Sequence, residues 1–162
     1  MNLIGQIINA MIAYYAGDVR RINHFLKVYG FAKAIGEMEG LDESTQEILE
    51  IAALTHDIGI KNSEKKYNSS AGNYQQIEGP PEAKKLLERL DVESGIIDRV
   101  YWLIAHHHTY TDIQGIDYQI LVEADFLVNF YEDDMSNDSV HSAGGKMFKT
   151  LSGKAILNAI YA

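Results

Sequence analysis

Four ionisable residues occupy positions where helical periodicity demands apolar ones, and they limit what this chain can fold into. His24 shares a helical face with Val28, Phe31 and Ile35; His56, joined to Asp57, follows Leu49 and Ala53; Asp125 lies in line with Leu121, Ala124 and Val128. Side chains three, four and seven residues apart share one side of a helix, so these groups point inward. Taking a carboxylate out of water costs on the order of several kcal/mol unless something compensates it. Each residue alone has a plainer reading. A histidine on an apolar face is commonly bonded to a backbone carbonyl, and Asp125 could pair with Arg20 or Arg21. Two histidines and two aspartates converging in one interior are best compensated by a divalent metal.

The rest of the chain reads as helices, over 2–16, 18–38, 43–57, 80–90, 93–107, 116–132, 137–149 and 153–161. Asp18 and Asp42 suit N-caps, Gly40 closes the second helix, and Gly59 stops the third just after the His56-Asp57 pair. The prolines, Pro80 and Pro81, follow Gly79 and fit the first turn of a new helix. No segment keeps a period of two, and no repeat is evident, so the expectation is an all-α, single-domain, helical bundle-like globule spanning 1–162. Ile60–Gly79, rich in Ser, Asn, Lys and Gln, is expected as the least ordered segment, with Asp133–Gly145 as a second flexible stretch. Because the first begins directly behind the His-Asp pair, it is a candidate lid or substrate-binding segment. It carries Lys61, Lys65, Lys66, Tyr67 and Tyr74; a solvated connector is the alternative.

Composition narrows the chemistry. The chain has no cysteine, which excludes disulfides, thiolate metal sites and cysteine nucleophiles. Imidazoles and carboxylates remain, and they suit Mn, Fe, Co, Ni, Mg or Zn. A net charge of −9 disfavours a nucleic-acid polymer as partner but leaves room for a small phosphorylated substrate, because a bound cation dominates its local field. The apolar run Ile7–Ala13 is too short to span a bilayer and has no basic leader, so no membrane association and a cytoplasmic location are expected. The aromatic-rich helices leave a homodimer open.

The order His…His-Asp…Asp resembles the HD-domain superfamily of metal-dependent phosphohydrolases. The resemblance runs from Arg20 to Asn129, about two thirds of the chain, through Arg20-Arg21-Ile22-Asn23-His24, Ala52-Ala53-Leu54-Thr55-His56-Asp57-Ile58-Gly59 and Leu121-Val122-Glu123-Ala124-Asp125-Phe126-Leu127. It implies one divalent ion held by His24, His56, Asp57 and Asp125, and a nucleotide or other small phosphate ester as substrate. Asp57 would also orient or deprotonate the attacking water.

The resemblance bears on the remaining candidates too. In a branch acting on cyclic dinucleotides the motif continues as His-Asp-Ile-Gly-Lys, with a lysine that helps bind phosphate; here Ile60 intervenes and Lys61 is displaced by one. Many members carry one or two histidines at the position of His106-His107-His108, binding substrate phosphate or a second metal. His106 and His107 resemble those of the binuclear branches. Those branches use a further histidine upstream, where this chain has Gln75, Gln76 and Glu78. Glu78 is a candidate ligand, but a mononuclear centre is the expectation, with a second metal left open. His106 and His107 then serve as phosphate binders or proton donors, beside a mouth lined by Thr109–Asp112. Arg20 and Arg21 lie about a turn from His24; one is expected to hold phosphate and the other to face solvent. Two other readings stay open: an enzyme of the same fold with oxygenase or lyase chemistry, and a non-catalytic metal- or nucleotide-binding sensor.

Overall fold

A computed structural model describes residues 2–162, and every regular element among them is an α-helix. In order these are α1 (Leu3–Tyr14), α2 (Val19–Met38), α3 (Glu43–Thr55), α4 (Ile60–Tyr67), α5 (Gly72–Arg89), α6 (Ser94–His106), α7 (Ile116–Glu132), α8 (Asn137–Met147) and α9 (Leu151–Ile160). They form a single all-α helical bundle. α3 is its axis. Leu49 through Thr55 are all buried, a continuous run rather than a stripe. Such a helix must be covered on every side, and α1, α2, α6 and α7 pack around it. α2 offers a stripe of His24, Phe25, Val28, Ala32, Ile35 and Gly36, and α6 offers Ile97, Val100, Leu103 and Ile104. No helix of the described residues is long and apolar enough to cross a membrane.

The helix ends follow local chemistry. Asp18 accepts from the Arg21 amide at 3.2 Å, and Asp42 from the Thr45 amide at 2.9 Å. Gly40 takes φ of +72°, with its own amide bonded to the Glu37 carbonyl and the Leu41 amide to that of Gly36. That pair of bonds closes α2 on a left-handed residue, a conformation glycine adopts without steric penalty.

The segment expected as a loop, 60–79, is mostly helix. It holds all of α4 and the first turns of α5, and only 68–71 link them. Its polar residues form outer faces, while Ile60, Ser63, Gln75, Glu78 and Gly79 turn inward. A Cβ on Gly59 would lie 2.6 Å from the Gly79 amide nitrogen, so α4 and α5 meet backbone to backbone. Pro80 and Pro81 accordingly sit inside α5, not in its first turn. Each lacks an N–H, so the carbonyls of Gln76 and Ile77 lose their usual helical donors; the packing of α5 on α4 and α6 outweighs that local cost. The second stretch expected to be flexible, 133–145, is a short turn followed by most of α8, whose Val140 and Gly144 are buried.

Candidate metal centre

Four elements deliver side chains to one point. His24 comes from the second turn of α2, His56 is the C-cap of α3 with Asp57 following it, and Asp125 faces them from α7. His107 arrives as the C-cap of α6. His56 and His107 are held alike: each ring Nδ1 lies 2.7 Å from the carbonyl three residues back, Ala53 and Ile104 respectively. A carbonyl can only accept, so Nδ1 donates to it and Nε2 is left facing the cluster. The Nδ1 of His24 instead meets the carboxylate of Glu132. The Tyr15 hydroxyl donates to the Asp57 carbonyl at 2.7 Å and steadies the turn carrying the pair.

The free faces converge. His24 Nε2 lies 3.1 Å from Asp57 Oδ2 and 3.2 Å from Asp125 Oδ1. His56 Nε2 lies 3.4 Å from Asp57 Oδ1 and 3.5 Å from Asp125 Oδ1. His107 Nε2 lies 3.6 Å from Asp57 Oδ1. The Nε2 atoms of these three histidines and Asp125 Oδ1 are buried and make no hydrogen bond among the described residues. Each such orphan costs about 1–3 kcal/mol unless a proton or a cation sits among them. A divalent cation satisfies all of them, and imidazole nitrogens with carboxylate oxygens are donors that such ions accept.

The electrostatics point the same way. Burial opposes a charge on His24, yet the adjoining Asp125 and Asp57 carboxylates raise it to about 11. Burial likewise opposes a charge on His56, but Asp57 and Asp125 raise it. Against its own burial, Asp57 is held well below the usual carboxylate range by His56, His107 and His24; Asp125 is lowered by His24 and His56. The carboxylates thus stay ionised and demand positive charge beside them. A metal ion would take the place of the protons.

A second cluster adjoins the first. One ligand atom each from Asp57, His107 and His108 lie within 4.8 Å of one another. His108 Nε2 is 2.9 Å from Gln75 Oε1, and its Nδ1 is 3.3 Å from the Tyr110 hydroxyl. Burial and then His107 push His108 down to about 4, so it is neutral, the form that ligates. Neither cluster includes His106, whose Nδ1 bonds the Trp102 carbonyl at 2.7 Å and whose ring stacks on Trp102. The structure therefore pairs His107 with His108 and leaves His106 on the outer side of α6. Glu78 is in neither cluster either. Its carboxylate is taken by Lys66 Nζ at 2.6 Å and the Tyr67 hydroxyl at 3.0 Å. Gln75 is the α5 side chain that reaches His108.

A cavity of about 420 Å³ opens onto the first cluster, lined by Asp18, Arg20, Arg21, His24, Asp57, Ile60, Ser70 and Glu132. The structure separates the two arginines. Arg21 is tied to Asp18 at 3.0 Å and to Glu64. Arg20 is exposed on the cavity wall, and among the described residues no ion pair or hydrogen bond engages its guanidinium. Lys61 is turned elsewhere: its Nζ donates to the Tyr14 carbonyl at 3.0 Å and lies over the Tyr14 ring. Tyr110, from the segment expected at the mouth, packs on Phe126 and is pushed up to about 12 by burial and by Asp125, so it keeps its hydroxyl proton.

Sequence reasoning did not reach Glu132, Tyr15 or Ser70, and it named His108 and Gln75 without giving either a role. Only the first had a readable signal, since it stands seven residues after Asp125 on the same helix.

The sequence profile of the HD domain matches residues 21–140, a span holding both clusters and Glu132. The chain belongs to the HD domain family. Its fold is also that of a crystal structure described as a predicted HD superfamily hydrolase from an uncultured Thermotogales bacterium, with 21% identity, 99% of this chain and 91% of that one covered, and a TM-score of 0.70. No functionally curated protein matches the chain. Family membership and the donor set together make this an HD-domain protein with a candidate metal site.

Proposed function

We propose that this HD-domain protein hydrolyses a phosphate ester of a nucleotide or another small molecule, with His24, His56, Asp57 and Asp125 holding one divalent ion. The observation that carries the reading is Arg20, an uncommitted cation on the wall of the cavity that His24 and Asp57 also line. A guanidinium fork matches a phosphate's oxygens. A bound divalent ion would supply Lewis acidity to water and to a phosphoryl oxygen.

The chain's own groups do the rest. Arg20 anchors the phosphate, Asp57 orients the attacking water and draws its proton, and His107, buried with Nε2 aimed at Asp57, stabilises charge as the ester breaks. Tyr110 keeps a hydroxyl proton to donate near His108. Arg21 braces the rim through Asp18 and Glu64. The cavity lies within the roughly 300–1,000 Å³ common for small-ligand pockets, and the net charge of −9 opposes a polymeric nucleic acid.

The Asp57–His107–His108 cluster favours one second reading, a binuclear centre in which these three residues would hold a second ion and Gln75 would support His108. Metal analysis of the purified protein, joined to a turnover screen over nucleotides and sugar phosphates, tests both. One bound ion per chain with phosphate release supports the proposal, and two support the binuclear form. A loaded protein that releases no phosphate from any ester and shows redox-active di-iron spectra would overturn it in favour of oxygenase chemistry.

A further inference from the structure

Glu132 ends α7, seven residues and so about two turns beyond Asp125. That spacing sets both carboxylates on one face of the helix, and α2 packs against it. Asp125 Oδ1 is 3.2 Å from His24 Nε2, while Glu132 Oε1 bonds His24 Nδ1. A single helix thus addresses both nitrogens of one ring. His56 and His107 are held differently, each by a neutral backbone carbonyl. The Glu132 side chain is only 11% exposed. Its other oxygen lies 3.4 Å from Lys27 Nζ, whose side chain is 40% exposed, and a pair so open to water contributes little by itself.

We infer that Glu132 is a positioning residue of the metal centre, fixing the His24 ring and making it a stronger donor than the two histidines held by carbonyls. The inference rests on the reading of His24, His56, Asp57 and Asp125 as metal ligands. The physical ground is that a carboxylate accepting the far N–H of a ligating imidazole locks its tautomer and orientation and raises its basicity. A carbonyl does the first two with no net charge behind it.

The test measures metal affinity directly, by chelator competition with Zn(II) on the whole chain, and records the ligand-field absorption of the Co(II)-loaded protein. Glu132→Gln keeps an accepting oxygen at nearly the same place but removes the charge; Glu132→Ala removes both and serves as the second variant. In folded protein, judged by an unchanged helical circular-dichroism spectrum, Glu132→Gln is expected to weaken Zn(II) binding about 10-fold or more, with Glu132→Ala at least as affected, since loss of such partners costs roughly 10–100-fold. The cobalt bands should shift in both. Affinities within about twofold of wild type in both variants, with unchanged cobalt bands, would overturn the inference and leave Glu132 as a rim partner of Lys27. Should the unaltered protein bind neither ion, the metal-centre reading itself falls and this inference with it. That outcome is read from wild type alone.

Discussion

Glu123 and Asp125 stand two residues apart on α7, and both carboxylates are buried. Glu123 is fully occupied. Its oxygens receive the Gln119 amide at 2.6 Å, the Lys149 and Thr150 backbone amides at 3.0 and 3.1 Å, and the Thr150 hydroxyl at 2.6 Å. Thr150 in turn caps α9 by accepting from the Gly153 amide. Asp125, on the other side of the helix, has an Oδ1 with no donor and two imidazole nitrogens facing it. Burial is common to both, so burial does not mark the site. Unfilled hydrogen-bonding capacity does: Glu123 is complete within the protein, while Asp125 needs something the chain does not supply.

Removing the unsatisfied set should have the largest effect. Asp57→Ala is expected to lose metal and turnover together, read by metal analysis and product release, because Asp57 joins both clusters. Full metal occupancy with full turnover in that variant would erase the contrast. Glu123→Ala should do the reverse. It strands two backbone amides and the Thr150 hydroxyl, at about 3 kcal/mol or more, visible as a lower denaturation midpoint, while the folded fraction still binds metal normally.

Smaller effects sharpen the picture within the histidine run. His107→Ala should slow ester turnover on the order of 100-fold, measured under saturating metal. His106→Ala should change it by no more than about threefold, as a lost stacking contact on Trp102 would. Equal losses in both would mean that the outer side of α6 also reaches the substrate.

The gentlest test is pH. His24 is raised from 6.5 to about 11 in the folded chain. Its contribution to the stability of chelator-treated protein is therefore fully present below 6.5 and is lost as pH climbs through about 11. Metal binding must displace that proton, so affinity should rise over the same interval, by up to about tenfold per unit for one proton released. Melting temperatures with chelator and with Zn(II), followed upward from pH 7, should diverge; parallel curves would argue that no proton on His24 competes with metal.

The contrast also explains what could be read before the structure. His24, His56 and Asp125 interrupt apolar stripes, and helical periodicity exposes such an interruption. Asp18, Asp42 and Gly40 act through neighbours within a few residues, so their capping was legible too. The segment 60–79 was not, because its helices owe their place to distant packing, Gly59 on Gly79 above all, and its composition by itself resembles a loop. His106 and His107 are not brought into one cluster, for a geometric reason. α6 ends at His106, and the turn beyond it resets the direction of each side chain, so helical spacing no longer says that His108 turns inward. The division between Arg20 and Arg21 was within reach: Asp18 stands three residues before Arg21, a spacing that pairs charges on a helix.

The contact of Gly59 with Gly79 has a further consequence. It welds the start of α4 to the middle of α5 with no side chain between them, directly behind the His56-Asp57 pair. The seam leaves no lever for a hinge there, so the metal-facing wall is a fixed chassis. The four-residue link, 68–71, brings Ser70 to the cavity. Changes in the link would alter the cavity's rim without moving the His56-Asp57 pair.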